Sequence, residues 1–146
     1  MSLTRNAAAR DLVLLLSRIG LGIVFIAHGW QKFRTNGLDG TAAMFDKMGV
    51  PAPTLSAYYA TGIELLGGIA LIVGLLTPAV GVLLALDMVG ALAFVHLSNG
   101  VFVADGGWEL VGVLGLLSLT LAVVGAGRVS LDSIFSRSSG RAKVAA

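Results

Sequence analysis

The sequence predicts an all-α fold: a four-transmembrane-helix antiparallel bundle with a short interfacial helix between helices 1 and 2. Three observations predict it. Mean hydropathy is +0.91 and only 12% of the 146 residues are charged, about half the share in a soluble domain. Four apolar segments each run close to the ~20 residues that cross a bilayer as a helix. Runs such as "LVLLL" and "LIVGLL" do not alternate, which excludes a closed β-barrel. The chain divides into a cytoplasmic N-terminal arm (1–11), the four-helix domain (12–132) and a flexible basic C-terminal tail (133–146).

The first segment, Leu12–Phe33, is not a cleaved signal peptide. Arg18 interrupts its apolar core, and no small-x-small site follows it. Next comes the one long connection, Arg34–Pro53. Within it Ala43, Met44, Lys47 and Met48 recur at helical spacing, Thr41 can cap, and Gly49 with Pro51 stops the turn. That pattern predicts the short interfacial helix. The second segment, Ser56–Leu76, is separated from the third, Ala79–Leu97, by Thr77–Pro78 alone, so these two pair tightly and antiparallel. The third connection, "SNGVFVADGG", carries turn residues. The fourth segment is Trp108–Ala126. The tail "SRSSGRAKVAA" is small, polar and basic, a disordered composition.

Glycine is abundant, 20 residues, which suits helices that approach closely in lipid. There is no cysteine, which excludes a disulfide, a thiolate nucleophile and a cysteine-ligated metal in this chain. The net charge of +2 and pI near 9.4 suit an anionic membrane surface. No basic patch with interleaved aromatics points to nucleic acid. Arg5 and Arg10 before the first segment, and Arg128, Arg137, Arg141 and Lys143 after the last, place both termini in the cytoplasm.

The ionisable residues within the segments are Arg18, His28, Lys32, Glu64, Asp87, His96 and Glu109. Each is costly at membrane depth unless paired or wet, so each is a candidate site residue. Arg18, His28 and Lys32 fall within roughly an 80° arc of helix 1, a stripe shared with Gly22, Phe25 and Gly29. That face turns inward. Depth along the helices matches Arg18 with Asp87 as a buried ion pair, with Arg18 slightly below mid-membrane. It also matches Glu64 with His28 or Lys32 nearer the outer surface. His28, Lys32, Glu64 and Glu109 thus form an expected polar cluster, with His96 beside it. Such groups suit proton exchange or a polar head group. Asp87 and His96 fall on opposite faces of an ideal helix, so either the helix bends near Gly90 or His96 reaches in from the loop. Metal ligation has little support, because no His-x₃-His or Glu-x-x-His pair brings ligands together on one helix.

The segments "RIGLGIVFIAHGWQKF", "FDKMGVPAP", "GIELLGGIALIVGLLTP" and "GWELVGVLGLLSLTLAVVGAGRVSLD", in that order, resemble the DoxX family of small four-helix bacterial membrane proteins. The resemblance runs from about Arg18 to Asp132. Carried over position by position, it marks Arg18, His28, Gly29, Lys32, Glu64, Gly67, Gly68, Glu109, Gly127, Ser130 and Asp132. It implies a bacterial plasma (inner) membrane location and an accessory role in membrane redox chemistry, in a quinone-linked or oxidant-defence complex. No catalytic residue is expected in the chain alone. Without cysteine or a nucleotide-binding loop, electron transfer here needs a bound quinone, and a redox protein is the implied partner beside the lipid bilayer. Two other readings stay open at this level: a membrane scaffold whose charges are structural, and a small-solute or proton transporter, for which a homo-oligomer would supply more wall.

Overall fold

The computed structural model describes residues 3–136, and every regular element among them is helical. Helix α1 spans Leu3–Trp30 and continues through wider π turns over Gln31–Asn36. A short α2 follows at Leu38–Lys47. The second long helix is built from α3 (Pro53–Gly62), a π segment (Ile63–Gly67) and α4 (Gly68–Val73). The third is α5 (Thr77–Ala91), again followed by π turns, Leu92–His96, and a 3₁₀ turn, Leu97–Asn99. The fourth is α6 (Glu109–Val124). Residues 131–136 add a last helical stretch.

Three of these helices, Asn6–Asn36, Pro53–Val73 and Thr77–Asn99, are long and apolar enough to cross a membrane. The fourth is equally apolar but shorter. The helix start at Leu3 and the 131–136 stretch cut across the expected arm and tail boundaries. The tail beyond residue 136 lies outside the described residues.

The bundle buries polar side chains within its core and exposes apolar ones on its outside. Arg18, Thr41, Thr61, Glu64, Thr77, Asp87 and Ser118 are buried, whereas Leu12, Leu16, Ile23, Leu66, Leu86, Val113 and Val123 are exposed. Water penalises that arrangement, since so many large apolar side chains are exposed. A hydrocarbon surrounding favours it, because polar groups then find partners only inside.

Small residues bring the helices together. A Cβ on Gly22 would lie 2.5 Å from the Gly68 carbonyl, and one on Gly68 would lie 2.8 Å from the Gly22 carbonyl. One on Gly29 would meet the Leu65 nitrogen at 2.9 Å. The pairs run in opposite senses, so α1 and the second long helix are antiparallel. Gly81 against Ser118, and Gly115 against Met88, place α5 and α6 the same way. Between them Phe25, Leu71, Leu84 and Leu121 fill the centre and are fully buried. Close backbone approach provides the dispersion contacts that hold helices together where lipid removes the hydrophobic drive.

Candidate functional site

At one end of the bundle three helices widen. Each π segment carries one of the candidate ionisable residues: Lys32 in the first, Glu64 in the second, His96 in the third. π turns are rare and concentrate at functional sites. Their effect here is rotational. A wider turn lags the α-helical rotation, so the Leu92–His96 segment swings His96 toward the face of Asp87. The helix neither ends before His96 nor needs a kink at Gly90. It changes its winding.

The Lys32 ammonium donates to both carboxylate oxygens of Glu64, at 2.9 and 2.6 Å. Glu64 is buried, and Lys32 retains partial exposure. Asp87, from α5, lies near enough to Glu64 and Lys32 to feel both charges. Two carboxyl groups therefore stand near one ammonium, which pairs with Glu64. Thr41 of α2 is fully buried and donates to the Gly37 carbonyl at 2.9 Å, with the Lys32 carbonyl close by at 3.3 Å. That contact docks α2 against the end of the first long helix.

These groups face a cavity of about 570 Å³. His28, Lys32, Glu64, Asp87 and His96 all line it. The rest of the wall is mainly apolar, with Phe25 from α1, Met44, Phe45 and Met48 from α2, Phe94 from the third helix and Leu114 from α6. An apolar chamber with a few convergent polar groups, of this volume, is the usual form of a small-molecule site. His28 is half-buried and has no hydrogen-bond partner among the described residues. Tyr59 also lines the chamber and donates to the Leu83 carbonyl at 2.9 Å, tying the second long helix to α5.

Two expected members lie elsewhere. Glu109 does not reach the cavity. Its Oε1 accepts the Val103 N–H at 2.7 Å and ties down the loop before α6. The ionisable side chains of the chamber thus come from three helices, and α6 contributes only apolar wall. Arg18 does not pair with Asp87. It is fully buried at the opposite end, where its guanidinium donates to the carbonyls of Leu71 (3.1 Å), Ile72 (3.3 Å) and Val129 (2.5 Å). The first two carbonyls belong to the last turn of α4, which stops at Gly74, and the Leu71 carbonyl also accepts the Gly74 N–H at 3.1 Å. Depth counted from the outer helix ends put Arg18 only slightly below Asp87, close enough to pair. The helix begins at Leu3, and the turn after α4 meets it at Arg18.

Asp132 completes that end. Its carboxylate accepts the N–H of Leu76 at 2.7 Å and of Thr77 at 2.9 Å, and its own N–H donates to the Gly74 carbonyl at 2.9 Å. Leu76 sits in the left-handed region at φ 51°, costly for a residue with a Cβ. Asp132 holds it there and caps α5.

Residue counting did not reveal Thr41, Tyr59, Met44, Phe45 and Met48 as lining residues. Only the amphipathic pattern of α2 hinted that it covers something. The π turns left no mark in the sequence.

The apolar exterior, the buried charges and the chamber define a polytopic membrane protein with an internal polar site. The DoxX family model matches residues 13–97. Over 118 residues the chain is 39% identical to "Putative oxidoreductase CatD" of Bacillus subtilis (strain 168), covering 81% of this chain and 83% of that protein. It is 32% identical over 131 residues to "Inner membrane protein YphA" of Escherichia coli (strain K12), covering 86% and 91%. The chain belongs to the DoxX family. No solved structure matches it.

Proposed function

We propose that the protein crosses a bacterial plasma membrane four times, with both termini in the cytoplasm and α2 at the outer interface. Its chamber binds a quinone head group as an accessory to membrane redox chemistry. The observation that carries this is the Lys32–Glu64 pair, with Asp87 beside it, set in the wall of an otherwise apolar chamber. Ring carbonyls accept hydrogen bonds, and the Lys32 ammonium is a donor placed at the wall. Phe25, Phe45 and Phe94 supply flat apolar surface for the ring. Two carboxyl groups beside one ammonium can hold one proton more or fewer as the charge of a ligand changes. The chain has no cysteine, so electrons must reach the ligand from a partner protein. The oxidoreductase in the name of the Bacillus relative and the inner membrane in that of the Escherichia relative agree with this reading.

The four crossings rest on α6. Its 16 residues reach about 24 Å, a few ångström short of a ~30 Å hydrocarbon core. The apolar residues flanking it at either end make up the difference.

Extraction in mild detergent followed by mass spectrometry of the bound lipids tests the function. Quinone should co-purify with the wild-type protein and be lost from Lys32→Met. Wild-type protein that carries no quinone and binds no added soluble analogue overturns the reading. If such a preparation carries a stoichiometric protein partner instead, the chain is a scaffold.

A further inference from the structure

His96 is fixed by an acceptor. Its Nδ1 lies 2.7 Å from the Gly106 carbonyl oxygen. A carbonyl oxygen can only accept, so Nδ1 must carry the proton. In the neutral ring Nε2 is then bare and can only accept. Nε2 has no partner among the described residues, and His96 lines the chamber.

The loop that presents Gly106 is built to hold that carbonyl still. Gly106 has φ +80°. Its N–H donates to the Val103 carbonyl at 3.0 Å, and Gly107 N–H to the Phe102 carbonyl at 2.8 Å. Glu109 holds the Val103 N–H, and Asn99 Nδ2 donates to the Val95 carbonyl at 3.2 Å while reaching Gly106 O at 3.4 Å. Glu109 therefore acts on the chamber at one remove, by orienting His96 through the loop. Outer hydrogen bonds of this kind commonly set a histidine tautomer.

We infer that the Nε2 atom of His96 is a fixed hydrogen-bond acceptor in the chamber, and that the preferred ligand carries a hydroxyl donor. Within the quinone reading, on which this rests, that ligand is the reduced quinol. Lys32 can only donate and His96 Nε2 can only accept. Quinone oxygens satisfy the first and leave the second unpaired. Quinol hydroxyls satisfy both, because each oxygen accepts and each hydrogen is donated.

The test compares oxidised and reduced forms of a decyl-chain benzoquinone, binding under anaerobic conditions to full-length protein in detergent. Wild type should bind the quinol about tenfold more tightly than the quinone, the effect of one buried hydrogen bond. His96→Asn keeps an amide N–H for the Gly106 carbonyl and removes the acceptor, so it should abolish the preference by weakening quinol alone. His96→Gln offers an amide oxygen near the Nε2 position and should restore part of it. Unchanged quinol binding in His96→Asn, or equal weakening of both forms, overturns the inference and leaves quinone binding standing. Wild-type protein that binds neither form overturns the quinone reading and the quinol assignment with it. Nitrogen-15 NMR of histidine-labelled protein reads the tautomer without any ligand. A protonated Nδ1 and bare Nε2 are expected, and an Nε2–H ring overturns the assignment whatever the chamber binds.

Discussion

Arg18 and Lys32 are cations on the same helix, both removed from lipid, and the bundle uses them differently. Arg18 is held through its two terminal guanidinium nitrogens by backbone carbonyls from α4 and from the segment after α6. It does not line the chamber. Lys32 meets a carboxylate, keeps partial exposure, and faces open volume. The first end is a clasp, in which the Arg18 terminal nitrogens and the Asp132 carboxylate close helix termini and a turn. The second end keeps its charges where a ligand can reach them. Ionisable groups in a membrane are expected to mark function, and under the proposed function partner type separates the two better than burial does. Arg18, the more deeply buried, meets backbone carbonyls at a helix end.

The largest effect expected from breaking this contrast is at Arg18. Arg18→Met leaves the Leu71, Ile72 and Val129 carbonyls without their shared donor, at a cost of about 3–5 kcal/mol. Folded yield after detergent extraction should collapse. Adding Asp87→Arg to Arg18→Asp should recover none of it, because the two residues sit at opposite ends. Recovery in that double variant would erase the distinction drawn here.

Next is the helix contact between the two ends. Gly22→Ala drives a methyl against the Gly68 carbonyl, and overpacking of this kind costs about 1–3 kcal/mol. Thermal unfolding in detergent should show the loss, with Gly20→Ala as control. A Cβ at Gly20 meets nothing within 4 Å.

Asp132→Asn removes the charge that caps α5 and holds Leu76. A loss of about 0.5–2 kcal/mol is expected, with quinone retention unchanged because the chamber lies at the other end. Unfolding and lipid mass spectrometry on the same preparation separate these outcomes.

The smallest stability effect should come from the end with the largest binding effect. Lys32→Met with Glu64→Gln removes the ion pair together, which is commonly close to neutral for folding because both desolvation costs vanish. The double variant should melt within about 1 kcal/mol of wild type and retain no quinone. If it unfolds as badly as Arg18→Met, both ends are clasps.

Much of this was legible in the residues. The apolar segments, the short helix after the first span and a tight turn between the second and third follow from hydropathy and turn chemistry, which are local, although the turn falls at 74–76 and Thr77 with Pro78 opens α5. Lys32 with Glu64 follows from depth along two helices whose outer ends are marked by polar loops. Arg18 with Asp87 did not, because depth alone does not reveal that the end of α4 and the segment after α6 present backbone carbonyls to Arg18. Glu109 looked like a cluster member by its position at a helix start. Its actual partner, the Val103 N–H, depends on how a glycine-rich loop closes.

By itself the sequence determined a helical, lipid-facing chain that must hide its charges. That follows from an apolar composition with no alternation and from the cost of ionised groups in hydrocarbon. The tertiary structure alone decided which charge meets which partner. Three helices change from α to π winding near one end, and that rotation rests on packing between segments distant in sequence. No periodicity within a single segment encodes it. The chamber, the α2 residues that line it and the orientation of His96 all follow from that rotation and the loop it meets.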